Sequence, residues 1–261
     1  MSILGAVFPV SYWRAQRGVR QGGILSDFFF SLYINEILEE ISLMPYRCRL
    51  GICSINNQAY ADDIVLFCPS PDGLRQLLIR FQELANEHEL VLNIGKTKVV
   101  IFGQKLCESL GISFSICGVT IDIVQNYKYL GVIFDCILCE KDDVDRILKS
   151  FNRSVGMFLR KFHSVDFNVK IKLFDSLCMS LYGLDIVNSS MCTVSAFNRL
   201  SVAYHYAFKR LLGFPKHASN HFTCHLLDRM TFKHFYNLKV LKFFHWVTMS
   251  LSPCLIKFKY Y

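Results

Sequence analysis

Two adjacent aspartates, Asp62 and Asp63, stand between Tyr60-Ala61 and a short run of β-branched and large apolar residues at 64–67. Such a run is typical of a strand and Ala-Asp-Asp suits a tight turn, so the sequence predicts a β-hairpin with both carboxylates at its tip. Magnesium prefers hard oxygen ligands and is usually held by one or two carboxylates together with substrate phosphates. The hairpin therefore predicts a magnesium site. A solvated turn without a chemical role is the alternative.

Three further segments accompany this hairpin in a definite order. The glycine-containing segment GVRQGGILS at 18–26 precedes it, and the apolar spacing that follows predicts a helix opening after a glycine turn. The segment LNIGKTK at 92–98 comes after the hairpin, and YKYLGV at 127–132 comes later still. Taken in this order, the four segments resemble the reverse transcriptase family, specifically the polymerases of retrotransposons that lack long terminal repeats.

The resemblance covers most of the chain and implies its fold. Residues 7–135 resemble the second half of a reverse transcriptase palm, and residues 140–225 resemble the thumb and the segment after it. We therefore expect an α+β fold in two domains. Residues 1–135 would be the carboxyl-terminal half of a right-hand polymerase palm, an antiparallel sheet with helices, and residues 136–261 an all-α, thumb-like bundle.

The same resemblance implies the site residues. The family carries out template-directed nucleotidyl transfer on an RNA template and DNA primer duplex with dNTP, and two Mg²⁺ ions activate the primer hydroxyl and neutralise the leaving pyrophosphate. Asp62 would ligate metal directly with Asp63 beside it, and Lys96 would protonate the pyrophosphate, which suits a mobile cation beside phosphates. The other implied contacts are with nucleotide or template (Gln21, Gly22), with the primer terminus (Tyr60, Ala61) and, at a turn, with the primer (Tyr129, Leu130, Gly131).

The beginning of the chain departs from the family pattern. Family members carry another metal-binding aspartate well before the glycine-containing segment, whereas residues 1–17 contain neither aspartate nor glutamate. Asp27 follows Ser26 where the family commonly has proline, a tolerable change because an acid near a helix start suits the helix dipole. We expect that the isolated chain does not polymerise, and that a separate amino-terminal polymerase half is a candidate partner.

Charge is distributed unevenly along the chain. Residues 1–135 contain 11 Lys+Arg and 13 Asp+Glu, a net charge of −2, and residues 136–261 contain 18 against 8, a net charge of +10. Basic side chains that neutralise phosphates release counterions, which gives salt-sensitive affinity for nucleic acid. The excess therefore suits a duplex-binding thumb, while helices with solvated basic faces are the alternative.

Apolar spacing and turn residues predict the remaining elements. Leucines and Phe81 recur at helical spacing over 74–85 after Pro71-Asp72, and further helices are predicted over 144–162, 169–186 and 195–212, the last stopping at Gly213. Strands are predicted over 98–102, 114–117 and 119–124, the last two joined by a tight turn at Cys117-Gly118.

Hydrophobic residues make up 52% of the chain, yet no uninterrupted apolar stretch reaches the roughly 18 residues of a membrane span. We expect no membrane contact, and we expect apolar surfaces that need a partner, hence poor solubility of the chain alone. The eleven cysteines show no regular spacing that would indicate disulfide pairs, which favours a reduced, intracellular protein. The sequence does not distinguish between cytoplasm and nucleus. Cys136 and Cys139 have the spacing of zinc ligands, but no second ligand pair follows at the distance of a zinc finger. A cluster of four residues has two interpretations, packing in the core or binding of a metal ion, and consists of His217, His221, Cys224 and His225.

Three functional hypotheses follow from the sequence. The chain is a truncated retrotransposon reverse transcriptase that is inactive on its own, or part of an active RNA-directed DNA polymerase whose front half lies elsewhere. Alternatively, it is a domesticated nucleic-acid-binding protein that no longer uses Asp62 and Asp63 for catalysis. Effects of substitutions at Asp62 and Asp63 on metal-dependent extension and on salt-dependent binding discriminate among them.

Overall fold

The helix predicted after the glycine-containing segment runs from Ser26 to Leu43 in the computed structural model, which describes residues 25–50, 53–103, 111–181, 183–185, 187 and 194–249. The helix ends where Met44 becomes extended, because the proline that follows disfavours helical backbone in the residue before it. Its buried face consists of isoleucines spaced three and four residues apart, namely Ile34, Ile37 and Ile41.

The described residues form a mixed α+β fold. In chain order the elements are α1 (Ser26–Leu43), β1 (Cys48–Leu50), β2 (Cys53–Ile55), β3 (Asn57–Tyr60), β4 (Asp63–Leu66), α2 (Pro71–Glu87), β5 (Lys98–Val99), β6 (Phe114–Ile116), β7 (Val119–Ile123), β8 (Asn126–Tyr129), β9 (Val132–Asp135), α3 (Lys141–Lys161), α4 (Phe167–Cys178), α5 (Val194–Leu212), α6 (Asn220–Leu226) and α7 (Phe232–Met249).

These elements belong to two compact units. The first comprises the described residues up to Leu92 together with Ser115–Cys117, and the second comprises the other described residues from Asn93 onwards. In the first unit α1 packs against α2 and β3, and β1–β2 and β3–β4 are antiparallel hairpins. The predicted helix over 74–85 is confirmed as α2, which begins slightly earlier, with Pro71 in its first turn. Ser70, which the sequence analysis did not single out, caps it by accepting a hydrogen bond from Gly73 N at 3.2 Å.

The second unit has its core in the helices. Helix α3 packs against α4 and α5, and α5 packs against α6 and α7. Aromatic rings fill the centre: Tyr204 lies 4.7 Å from Phe208 between ring centroids, and Phe158 lies 5.4 Å from Phe174. Burial of such rings dominates the energetics of a core of this size, so this part of the chain holds together through its helices. Among the described residues from 136 onwards, helices are the only regular elements.

The expected antiparallel sheet is only partly correct. Three pairs, β1–β2, β3–β4 and β8–β9, are antiparallel hairpins, but β5 pairs with β7 in parallel, with Lys98 opposite Asp122. The predicted strand over 98–102 ends at Val99, because the pairing with β7 stops there with the bond from Val124 N to Val99 O. The predicted tight turn between β6 and β7 is confirmed, since Cys117 and Gly118 both have positive φ.

The predicted helix over 169–186 is also too long, since α4 ends at Cys178. The chain beyond it contains Leu181 at φ 41° and Gly183 at φ 87°, which are incompatible with a right-handed helix. The other two predicted helices are confirmed as α3 and α5, and α5 stops at Gly213 with φ 71°. None of the described helices combines the length and apolar character needed to span a membrane.

Candidate active site

The acidic pair lies at the tip of the β3–β4 hairpin, which we call the acidic hairpin. Tyr60 pairs with Asp63 as the last cross-strand pair, so Ala61 and Asp62 are the two loop residues. All four side chains are exposed, Tyr60 to 66%. The predicted hairpin is therefore confirmed, with both carboxylates accessible to a ligand.

The backbone of this tip is unusual at Ala61. Its φ is 51°, whereas Asp62 is not among the residues with positive φ, and a positive φ at the first loop residue alone is the pattern of a type II′ turn. Glycine normally occupies that position, because a Cβ in left-handed backbone costs roughly 1–2 kcal/mol. Strained backbone of this kind concentrates at functional sites, where the surrounding structure holds it in place.

Two consecutive asparagines hold the acidic hairpin against α1. Asn56, 2% exposed, donates from Nδ2 to Ile41 O at 2.5 Å, and Asn57 donates from Nδ2 to Leu38 O at 3.1 Å. The backbone of Asn56 also accepts from Phe67 N at 2.7 Å, which closes the open end of the hairpin. Sequence reasoning missed these residues. Their signal was a pair of amides at the start of a strand that follows a helix, where they can donate to carbonyl oxygens of its last turns.

Lys96 lies in the second unit on a hydrogen-bonded turn. Asn93 organises this turn, because its Oδ1 accepts from Lys96 N at 3.2 Å and its backbone oxygen accepts from Thr97 N at 3.1 Å. The Tyr127 hydroxyl donates to Lys96 O at 3.2 Å and so ties the turn to β8. The Lys96 side chain itself is exposed, which leaves its ammonium free to meet a phosphate.

Tyr129, Leu130 and Gly131 belong to the turn of the β8–β9 hairpin, as the resemblance implied. Tyr129 pairs with Val132, and Leu130 and Gly131 between them have φ of 46° and 83°, the pattern of a type I′ turn. Leucine is rare in this conformation, and glycine is common. The β8–β9 hairpin thus presents a tightly defined two-residue loop.

The predicted site residues fall into two sets. Tyr60, Ala61, Asp62 and Asp63 belong to the first unit, and the second unit contains Lys96 with the turn at 129–131, connected through Tyr127. The predicted nucleotide contacts Gln21 and Gly22 lie outside the described residues and stay predictions.

Part of the positive charge of the second unit lines a groove between α3 and α5, which we call the basic groove. The groove has a volume of about 1050 Å³. Asp145 on its wall pairs with Arg199 at 2.7 Å, and the Arg210 guanidinium lies 6.0 Å from the centre of the Tyr206 ring. We define the basic groove by its four cationic side chains, which are Lys149, Arg199, Arg210 and Lys216.

The cysteines and histidines do not form a metal centre within the described part of the chain, where no three His, Cys, Asp or Glu side chains lie together as ligands. In the candidate cluster, Cys224 is buried, whereas His217, His221 and His225 are exposed. Burial raises the pKa of the Cys224 thiol, and nearby Lys209 partly opposes this. A buried neutral thiol acts as a small apolar side chain.

Comparisons with known proteins identify a family for the first half of the chain. The family described as reverse transcriptase (RNA-dependent DNA polymerase) matches residues 11–134. The chain is 22% identical over 211 residues to the RNA-directed DNA polymerase from mobile element jockey of Drosophila funebris, an alignment that covers 77% of this chain and 22% of that protein. The corresponding jockey protein of Drosophila melanogaster is 23% identical over 215 residues, which cover 76% of this chain and 22% of that protein.

A third relative comes from another mobile element. The chain is 33% identical over 125 residues to the Retrovirus-related Pol polyprotein from type-2 retrotransposable element R2DM of Drosophila melanogaster, covering 45% of this chain and 12% of that protein. The chain thus spans about a fifth of the length of its jockey relatives. Residues 11–134 thus match the reverse transcriptase family, and the relatives support the class encoded by retrotransposons that lack long terminal repeats.

Proposed function

We propose that this chain takes part in template-directed nucleotidyl transfer, in which the acidic hairpin provides metal ligands and the basic groove binds an RNA–DNA duplex. The observation that carries the proposal is the exposed pair Asp62 and Asp63 at a strained hairpin tip, inside the segment that matches the family. Both carboxylates are open to solvent and so are accessible to a metal ion. The chain would supply one part of a polymerase whose relatives are several times longer.

The acidic hairpin fits magnesium by the chemistry of its donors. Asp62 and Asp63 offer carboxylate oxygens on an open surface, and Mg²⁺ keeps several waters and takes one or two carboxylates plus substrate phosphates. Bound there with a nucleotide, the metal would neutralise charge on the transferred phosphate. The protein's part is to hold both carboxylates still, and Asn56 and Asn57 do so by fixing the hairpin to α1.

The second unit would contribute a cation and a primer contact. The exposed Lys96 side chain is suited to donating a proton to the departing pyrophosphate. The turn of Tyr129, Leu130 and Gly131 would support the primer, and Gln21 with Gly22 would meet the nucleotide or template. In this assignment the first unit and β5–β9 correspond to part of a polymerase palm, and α3–α7 to a thumb-like region.

The basic groove would bind the duplex backbone. Four cations against one acid favour phosphates, and the exposed side chains of Asn152, Asn198 and Ser195 along the same groove are suitable hydrogen-bond donors. Each phosphate contact should contribute about one counterion to the salt dependence of binding. We therefore expect Lys149→Gln and Arg210→Gln each to lower the salt slope by about 1, and Lys233→Gln, an exposed lysine on α7, to leave it unchanged.

The test measures the affinity of the chain for an RNA–DNA duplex with a recessed 3′ end, with dNTP, with and without Mg²⁺. We expect Mg²⁺ to strengthen binding, and Asp62→Asn or Asp63→Asn to reduce the metal-dependent part by at least about tenfold. Asp72→Asn, an exposed acid at the start of α2, is the matched control in the same unit. Nucleotide addition that depends on Mg²⁺ and disappears in either variant would extend the proposal to complete catalysis.

Equal metal dependence in the wild-type chain and both variants would overturn the catalytic proposal. A second candidate function would then remain, a nucleic-acid-binding protein that does not use its acids. The basic groove is the observation that favours it. Its mark would be salt-dependent duplex binding that Lys149→Gln and Arg210→Gln weaken and that Mg²⁺ does not change.

A further inference from the structure

Two adjacent carboxylates at the start of α3 reach back to the two strands of the β8–β9 hairpin. Asp142 Oδ2 accepts a hydrogen bond from Asn126 Nδ2 at 2.9 Å, and Asp143 Oδ1 accepts one from Ile133 N at 2.8 Å. Asn126 is the first residue of β8, and Ile133 is the second residue of β9. Both strands of the hairpin are therefore fastened to the same helical turn.

Asp143 is the more constrained of the two. Its side chain is almost fully buried, and Arg146 donates to both of its oxygens, from Nε at 2.6 Å and from Nη2 at 2.9 Å. A buried carboxylate persists only when it is paired and fully hydrogen-bonded, and the Ile133 amide completes that set. The helix dipole favours an acid in the first turn, but it does not account for a bond to a strand outside the helix.

The backbone at Gly183 lies close to the Asp143–Arg146 pair. Gly183 is buried at φ 87°, and a Cβ on it would lie 2.8 Å from Arg146 Nη2 and 3.7 Å from Asp143 Oδ2. Such a short separation forces Arg146 to move. The backbone at this point is therefore fitted to the Asp143–Arg146 pair.

The same helix carries one wall of the basic groove. Lys149 and Asn152 line that groove, two turns or so beyond Asp143 on α3. The hairpin joined to Asp143 ends in the turn of Tyr129, Leu130 and Gly131. One rigid helix thus connects a surface suited to the duplex backbone with a turn suited to the primer.

We infer that Asp143, with Asp142 and Arg146, positions the turn at 129–131 relative to α3, so that duplex bound in the basic groove fixes the turn. Asp143 is a positioning residue, because it contacts the β9 backbone and not the substrate. The inference rests on the proposed function, in which groove and turn hold one duplex. Binding at the groove and order at the turn are then thermodynamically coupled.

The experiment follows amide hydrogen exchange by NMR in the full chain, free and with an RNA–DNA duplex. In the free chain, Asp143→Ala should accelerate exchange of the Ile133 amide by about tenfold or more, because that amide loses a charged acceptor. In wild type, the duplex should slow exchange of the amides at 130–133 by about fivefold or more. In Asp143→Ala that protection should disappear while duplex affinity stays within about threefold.

Asp166→Ala is the matched control. Asp166 caps α4 in the same unit by accepting from Asn168 N at 3.0 Å, so its loss removes one charge and weakens one helix end without touching the hairpin. It should leave the protection at 130–133 intact. If Asp143→Ala does not fold, Gly183→Ala serves instead, since it displaces Arg146 and leaves Asp143 in the chain.

The outcomes separate this inference from the proposed function. If the duplex slows amide exchange at 130–133 as much in Asp143→Ala or Gly183→Ala as in wild type, the inference is wrong. A wild-type chain that does not bind the duplex would overturn the proposed function, and the free-chain exchange of Ile133 would then decide the positioning role alone. Unchanged Ile133 exchange in Asp143→Ala would refute it.

Discussion

Replacement of Asn56 by alanine should loosen the acidic hairpin. The side chain is 2% exposed, donates to Ile41 O at 2.5 Å and accepts from Asn57 Nδ2 at 2.9 Å. Each such bond contributes about 1 kcal/mol net, so the loss of both amounts to about 2 kcal/mol. The penalty stays near this value because Ile41 O keeps a second donor, Met44 N at 3.1 Å.

The assay for this prediction is exchange of the Phe67 amide, which donates to Asn56 O at the open end of the hairpin. About 2 kcal/mol corresponds to roughly thirtyfold faster exchange, if the hairpin opens locally. Local exchange is preferable to a global melting curve because the chain has two compact units. Asn86→Ala, an exposed asparagine on α2, is the control and should change exchange less than about threefold. Equal exchange in the two variants would refute the anchoring argument.

Three shorter predictions concern strain and burial. Ala61→Gly should stabilise the acidic hairpin by about 1 kcal/mol, because it removes a Cβ from backbone at φ 51°, and slower Phe67 exchange is the readout. Burial lowers the pKa of His205, so the unfolded chain binds more protons than the folded chain, and the second unit should lose stability as pH falls below 6.5. Urea unfolding at pH 7.5 and 5.5 measures this loss of unfolding free energy, which should be smaller in His205→Gln than in wild type. Burial raises the pKa of Cys178 to about 11, so iodoacetamide at pH 8 should label exposed Cys117 first; equal rates by mass spectrometry would contradict this.

Local patterns in the sequence were sufficient for the hairpin tip and for most helices. The apolar run after Ala61-Asp62-Asp63 predicted the acidic hairpin, and the apolar spacing after Pro71-Asp72 predicted α2, because these signals act within a few residues. The order of the four segments identified the family, which the match over residues 11–134 bears out. The boundary at 135/136 and the roles of the site residues stay predictions.

Features that depend on distant contacts escaped prediction. The backbone at Gly183 lies close to a side-chain pair on α3, and the parallel pairing of β5 depends on β7, more than 15 residues further along. The amides of Asn56 and Asn57 and the acids of Asp142 and Asp143 read as ordinary polar residues until their partners are known. No spacing rule reveals a hydrogen bond between a helix and a strand.

The most direct test of the account is to find where a divalent metal binds. Mn²⁺ titrated into the full chain with an RNA–DNA duplex and dNTP should broaden the amide signals of residues 60–63, since paramagnetic relaxation acts on nuclei near the metal. The same titration of Asp62→Asn should leave those signals sharp, and Asp72→Asn should behave as wild type. Broadening that is absent from residues 60–63, or that persists unchanged in Asp62→Asn, would contradict the assignment of the acidic hairpin as the metal site.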